Sequence, residues 1–85
     1  MLTLSVVTPE GQVLAQPVDE VTVPGLLGEL GILPGHIALL SATKEGLVTY
    51  RRGNERGKLE VGPGFAEVDG KDAVVLLVNE AKRAD

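Results

Sequence analysis

Apolar and polar residues alternate along most of this chain. The clearest case is Leu2, Leu4 and Val6, which are separated by single polar residues. The segments 18–23 and 47–52 show a similar pattern. A strand sends successive side chains to opposite faces, so this period of two predicts strands with one buried face.

Turn-forming residues separate the alternating segments. Proline and glycine occur together at 9–11 and at 62–64, and Asp69-Gly70 is a strong hairpin signal. Short strands divided by turns about every 8–12 residues indicate an antiparallel sandwich or barrel. The predicted fold class is therefore all-β.

The last predicted strand, 74–78, differs because it consists of Val and Leu without alternation. A continuous apolar run is typical of a strand buried on both faces, so we expect it at the centre of the core. After it, Asn79 is a suitable N-cap and residues 80–84 have helical propensity. The sequence thus predicts a β domain over 1–78 and only the start of a C-terminal helix over 79–85.

The segment 28–36 is the most unusual part of the chain and reads Gly-Glu-Leu-Gly-Ile-Leu-Pro-Gly-His. Its glycines and proline oppose a regular helix or a central strand, so it is predicted to be a loop. Loops are normally polar, whereas this one is aliphatic, and Leu26 and Leu27 precede it. Such a loop either fills the core or faces another protein. Glu29 and His36 are then candidate contact residues, and the alternative for both is an ordinary solvated side chain.

Residue patterns that support catalysis are missing from the sequence. A single histidine, His36, and the lack of cysteine exclude a multi-histidine or cysteine metal site. Ser5 and Ser41 lack the spacing of a nucleophile elbow. The glycines of 53–57 are one residue too close for a phosphate loop, and no Ser or Thr follows Lys58 to bind magnesium. We therefore expect no enzyme activity and no bound cofactor or metal.

The composition excludes further classes of function. The chain has 85 residues, a net charge of −4, two aromatic residues and no cysteine. It is long enough for one domain, without disulfides. Nucleic-acid binding is disfavoured, because it needs phosphate-neutralising charge and stacking platforms. Basic residues around 53–57 are interpreted as a solvated face that deters edge pairing, with steering of a partner as the alternative.

The segment 28–36, followed by Leu39 and Leu40, resembles the signature of the epsilon subunit of F-type ATP synthases. The similarity runs from about residue 2 to residue 81 and includes the opening and closing strands of that family's N-terminal domain. It implies a flattened, two-sheet antiparallel β-sandwich. It also implies a non-catalytic role in the central stalk, or rotor, where ATP synthesis is coupled to hydrogen-ion transport.

The resemblance implies two protein partners within a hetero-oligomer that holds one copy of the chain. One side would dock on the gamma subunit, and the bottom would touch the polar loops of the membrane rotor ring of c subunits. Association with the membrane would be peripheral, on the cytoplasmic face of a bacterial inner membrane or the equivalent organelle side. Residues that match the rotor-ring contact are Gly28, Glu29 and Leu30. Residues that match gamma-facing positions are Thr8, His36 and Ser41.

Two departures from the family pattern accompany the resemblance. Ala38 stands where family members usually have proline. Members also normally continue into a C-terminal pair of helices that inhibits ATP hydrolysis and in some cases binds ATP. Because the sequence stops at Asp85, we expect the inhibitory function to be absent. The alternative reading is a free-standing β-sandwich that acts as a carrier or binds a small ligand, with Lys71 as the candidate carrier lysine.

Overall fold

The structure is a computed structural model that describes residues 1–84. These residues form ten strands and no helix, which confirms the predicted all-β fold class. In chain order the strands are β1 (Leu2–Thr8), β2 (Gly11–Val18), β3 (Glu20–Gly25), β4 (Gly28–Ile32), β5 (Leu39–Thr43), β6 (Gly46–Arg52), β7 (Glu55–Val61), β8 (Gly64–Val68), β9 (Ala73–Val78) and β10 (Ala81–Arg83).

The strands form two sheets that are joined through β3. The strand order is β10-β7-β6-β3-β5-β8-β9-β1-β2, and β4 also pairs with β3. The start of β3 pairs with β6, whereas its last residue, Gly25, pairs with Thr43 of β5. We call β10, β7, β6, β3 and β4 the first sheet, and β5, β8, β9, β1 and β2 the second sheet. Strands β1 and β9 are parallel, in contrast to the antiparallel pairing expected throughout.

One hydrophobic core of mainly Val and Leu lies between the sheets. On β1, Leu2, Leu4 and Val6 are buried and the residues between them are not, as the alternation predicted. Full burial of one such side chain stabilises the fold by about 1.5–3 kcal/mol. The other buried hydrophobic residues are Leu14, Val18, Val21, Val23, Ile32, Val48, Tyr50, Leu59, Val61, Ala66, Val68, Val74, Leu76 and Val78.

Strand β9 is central, between β8 and β1, but it is buried on one face rather than on both. Leu76 is 1% exposed, whereas the next residue, Leu77, is 51% exposed. The prediction of two-sided burial for 74–78 is therefore wrong. The outer face of the second sheet is apolar at this point without being covered by the described part of the chain.

The prediction that a helix starts within 79–85 is also wrong for the described residues, which form no helix there. Residues 81–83 form strand β10 instead, which pairs with the edge of β7 so that Ala81 lies opposite Val61. A helix of fewer than two turns is unstable on its own, whereas the edge of β7 supplies hydrogen bonds and Ala81 packs on the core. Asp85 lies outside the described residues, and the division of the chain at 78 stays a prediction. Within residues 1–84, no helix reaches the length and apolar character that a membrane crossing needs.

The segment 28–36, predicted to be a loop, is partly a strand. Its first residues form β4, which makes a hairpin with β3, and the connection to β5 covers 33–38. Glycine weakens a strand without forbidding it, and the full burial of Ile32 anchors β4 to the core. The segment therefore fills the core through Ile32, whereas Leu33 is exposed, and contact of this segment with another protein stays a prediction.

Candidate docking surfaces

The β3–β4 hairpin ends in two exposed leucines, Leu26 and Leu27, which we call the leucine tip. Gly25 pairs with Gly28, so the leucines form the turn between them. Both glycines are needed: Gly28 has a φ of +135°, and a Cβ on Gly25 would lie 2.6 Å from the carbonyl oxygen of Gly28. Leu26 is 59% exposed and Leu27 105%. The tip thus adds little to the core and exposes apolar surface, which marks it as a candidate interaction site.

The residues predicted to contact the rotor ring, Gly28, Glu29 and Leu30, begin β4 beside the leucine tip. Leu30 is half-buried and packs against the core. Glu29 is exposed, and no cation within residues 1–84 forms a salt bridge with it. The hairpin end therefore combines an uncompensated carboxylate with exposed apolar surface.

The loop between β4 and β5 begins with a tight turn of Leu33, Pro34, Gly35 and His36. The amide of His36 donates to the carbonyl oxygen of Leu33 at 3.1 Å, and Gly35 has a φ of +85°. Proline at the second position and a glycine with positive φ at the third are the signature of a type II turn. Asp72, in the turn between β8 and β9, accepts a hydrogen bond from the Gly35 amide at 2.8 Å.

His36, predicted to face gamma, is half-buried in this loop. Its Nδ1 lies 2.7 Å from the carbonyl oxygen of Ile37. Because a carbonyl oxygen can only accept, Nδ1 is the donor in this hydrogen bond. Ile37 is 77% exposed and Leu33 55%. The histidine is therefore a polar group among exposed aliphatic side chains.

A third surface is the outer side of the second sheet, which we call the outer apolar face: the exposed Leu40, Phe65 and Leu77 and the half-buried Val7 and Val75. One exposed carboxylate, Glu67, lies on the same face between Leu40 and Val75. Phe65 pairs with Leu77, and Leu77 with Val7, so these three form a row across the sheet. Leu40 is 70% exposed and Phe65 52%. Contiguous exposed apolar side chains mark interaction sites. The sequence analysis missed this surface, although the absence of alternation in β9 was its signal.

The outer side of the first sheet is charged instead. Arg51 lies 3.0 Å from Glu20 and 3.6 Å from Asp19, and Lys82 lies 3.5 Å from Glu60. Ion pairs of this kind keep a sheet face solvated and contribute little stability. The two outer faces of the sandwich are thus chemically different, and the apolar one is the better surface for a protein partner.

The other two predicted gamma-facing residues, Thr8 and Ser41, do not present free side chains. Thr8 is 8% exposed, and its Oγ1 donates to the carbonyl oxygen of Gly11 at 3.3 Å and accepts from the amide of Glu10 at 3.2 Å. Ser41 is half-buried and in register with Ala66, so it lies on the core side of β5. Their neighbours on the opposite side, Val7 and Leu40, belong to the outer apolar face.

Strand β5 separates the leucine tip from His36. The amide of Leu26 donates to the carbonyl oxygen of Ala42 at 3.3 Å, near the end of β5. His36 precedes the start of β5 at Leu39. At about 3.3 Å per residue, the two ends of this strand are roughly 15 Å apart. The predicted ring-contact residues and His36 therefore lie near opposite ends of β5, and Leu40 lies on the strand between them.

A sequence model of one protein family matches residues 1–84, and the family is described as the ATP synthase Delta/Epsilon chain, β-sandwich domain. The chain belongs to this family. It is 44% identical over 84 residues to ATP synthase epsilon chain 2 of Syntrophotalea carbinolica. It is 45% identical over 83 residues to the ATP synthase epsilon chain of a Synechococcus species. These alignments cover 99% and 98% of this chain but 60% and 61% of the relatives, so the chain spans about three fifths of their length.

Solved structures of ATP synthases contain the same fold. A chain of the Euglena gracilis mitochondrial enzyme, solved with its OSCP, F1 and c-ring parts, matches with a TM-score of 0.91 at 24% identity, covering 96% of this chain and 52% of that one. The Tetrahymena thermophila central stalk and c-ring structure gives a TM-score of 0.80 at 17% identity, covering 95% and 65%. These likenesses confirm the predicted β-sandwich.

Proposed function

We propose that this chain is the non-catalytic coupling domain of a rotor subunit in the central stalk of an F-type ATP synthase. One copy docks on the gamma subunit and on the ring of c subunits, so that rotation driven by hydrogen-ion flow reaches the head that makes ATP. The observation that carries the proposal is the presence of separate exposed apolar surfaces on one sandwich. Membership of the Delta/Epsilon family supports the identity of the complex.

The outer apolar face is the proposed docking surface for gamma. Leu40, Phe65 and Leu77 are each more than half exposed and lie on adjacent strands of one sheet. Burial of such side chains removes apolar area from water and contributes roughly 25 cal/mol per Å² before the costs of association. His36 lies beyond the start of β5 and extends this interface, whereas Thr8 and Ser41 support it from behind.

The leucine tip and Glu29 are the proposed contact with the rotor ring. A carboxylate beside two exposed leucines fits a partner surface that offers a hydrogen-bond donor or cation next to an apolar depression. Through these contacts the domain is held at the membrane peripherally, on the cytoplasmic face of a bacterial inner membrane or the equivalent organelle side. Glu29→Gln should weaken cross-linking of the chain to c-ring loops and leave its binding to gamma unchanged.

A pair of matched leucine substitutions tests the gamma-docking surface. Leu77→Thr removes apolar volume from the outer apolar face, and threonine keeps a high strand propensity. Leu47→Thr makes the same change at a leucine that is 46% exposed on the first sheet. Leu77→Thr should weaken binding to the gamma subunit about tenfold or more by titration calorimetry, as expected for a residue at the centre of an interface, and Leu47→Thr should not. Equal affinity of both variants for gamma would contradict the docking assignment.

A further inference from the structure

Asp72 joins two turns that are distant in the sequence. Its Oδ1 accepts a hydrogen bond from the amide of Gly35 at 2.8 Å, across 37 residues of chain. Its backbone carbonyl oxygen accepts from the amide of Thr3 at 2.8 Å. The other hydrogen bonds found for 33–38 among residues 1–84, from the His36 amide and ring, stay within that segment. The Asp72 carboxylate is thus the hydrogen-bonded link between this loop and the rest of the sandwich in the described chain.

The backbone of Asp72 shows that this link imposes a conformational cost. Among the described residues, Asp72 is the one non-glycine residue that has a positive φ, and its value is +67°. L-residues other than glycine enter this region with difficulty, and Asp and Asn tolerate it best because their short side chains form local hydrogen bonds. Gly70, two residues earlier, has a φ of +81° and already gives the turn its flexibility. A glycine at position 72 would adopt this φ without strain. The presence of aspartate therefore indicates that its side chain has a function there.

We infer that Asp72 is a positioning residue that fixes the turn of residues 33–36 in the orientation in which His36 and its exposed aliphatic neighbours meet the partner. The inference rests on the proposed function, because it takes that loop as part of the gamma interface. Holding the loop before docking reduces the ordering cost that binding would otherwise include. Asp72 itself needs no contact with the partner.

Three substitutions distinguish the positioning of the 33–36 turn by Asp72 from a general stabilisation of the turn between β8 and β9. Asp72→Gly removes the acceptor and relieves the positive φ, so folding stability is retained. Asp72→Asn keeps an acceptor oxygen and tolerates the same backbone conformation. Asp69→Ala removes the carboxylate that accepts from the amides of Lys71 and Ala73 at 2.7 and 3.1 Å, and so weakens the same turn without touching Gly35.

The first measurement is amide hydrogen exchange by NMR on the free 85-residue chain. Asp72→Gly should speed exchange at Gly35 about tenfold, while amides of the core strands β1 and β9 exchange as before. Asp72→Asn should largely preserve the protection of Gly35, and so should Asp69→Ala. Unchanged exchange at Gly35 in Asp72→Gly would overturn the inference, whatever the partner is.

The second measurement is the affinity of the same variants for the isolated gamma subunit. Asp72→Gly should bind roughly tenfold more weakly, with Asp72→Asn and Asp69→Ala close to the unaltered chain. If His36→Ala weakens binding and Asp72→Gly does not, the positioning role is wrong and the proposed interface stands. If Leu77→Thr and His36→Ala both bind normally, the proposed gamma interface fails, and the positioning role fails with it.

Discussion

Leu76 and Leu77 are adjacent, identical residues with opposite surroundings. Leu76 faces the core and is 1% exposed, and Leu77 faces outward and is 51% exposed. Strand geometry separates them, because successive side chains point to opposite faces. The sequence could not show this, since an apolar run looks the same whether its second face is covered by the same chain or by a partner.

These two leucines should respond very differently to truncation. Leu76→Ala leaves a cavity in the core and should lower the free energy of unfolding by about 2–5 kcal/mol. Leu77→Ala should change it by no more than about 0.5 kcal/mol, as is usual for exposed sites. Urea unfolding of the isolated chain measures both. A loss for Leu77→Ala as large as that for Leu76→Ala would mean that the outer apolar face belongs to the core.

Asp69 gives the chain a specific response to acid. The amide of Lys71, and next that of Ala73, hold the pKa of the Asp69 carboxyl below its usual value by hydrogen bonding to the charged form. Because the pKa is lower in the folded chain, the stabilisation is complete above about pH 4, the ordinary range for aspartate. It is lost as the pH falls through the folded value, since the unfolded chain takes up the proton first.

Asp69→Asn isolates this response, because asparagine keeps an acceptor oxygen but does not titrate. At neutral pH the unaltered chain should melt at a higher temperature than the variant. The difference should shrink as the pH is lowered from about 5 to 2. Thermal melts at several pH values, followed by circular dichroism, give this difference directly. A constant difference down to pH 2 would show that the Asp69 charge does not stabilise the turn.

At the level of the elements, the sequence predicted the secondary structure of the central strands correctly. It predicted the secondary structure of the segments at the sheet edges poorly. The alternation in β1 and the strand predicted over 47–52 agree with the structure. The errors in element type concern β4 and β10, which both add to an existing strand, and the error at β9 concerns only the burial of its second face. The local residues of β4 and β10 favour a loop and a helix, respectively. An unpaired strand edge overrides such weak local preferences, and a sequence does not reveal where that edge will lie.

The β6–β7 pairing depends on Gly57, which lies opposite Tyr50. A Cβ on Gly57 would overlap the ring of Tyr50, which lies opposite it and is 7% exposed. Gly57→Ala should therefore cost about 1–3 kcal/mol of stability, because the buried ring must move. Gly31→Ala is the control, since a Cβ there meets nothing within 4 Å. Chemical denaturation compares them, and equal stability of the two variants would contradict the packing of Tyr50 on Gly57.

For the whole molecule, the fold class followed from local patterns and the family resemblance, whereas the exposed apolar surfaces needed the structure. Glu29 was predicted as an exposed contact residue and is exposed. Thr8 and Ser41 were assigned by position, but their side chains are engaged within the sandwich. Phe65 and Leu77 were not identified, because their exposure depends on how two sheets pack rather than on their own neighbours in the sequence.

At the scale of the complete enzyme, the proposed function can be tested through coupling and its regulation. The 85-residue chain, added to an ATP synthase depleted of its own epsilon subunit, should restore ATP-driven proton pumping without suppressing ATP hydrolysis. Coupling should be restored because the proposed docking surfaces all lie within the sandwich. Residues 81–83 are paired with β7, so within the described residues this segment is held on the sandwich. Proton pumping and ATP hydrolysis are measured in the same vesicles. The variant Leu77→Thr should fail to restore proton pumping, whereas the control variant Leu47→Thr should restore it. Strong inhibition of hydrolysis by the chain would overturn the regulatory part of the proposal, and absence of coupling with intact binding to gamma would overturn the rotor-ring contact.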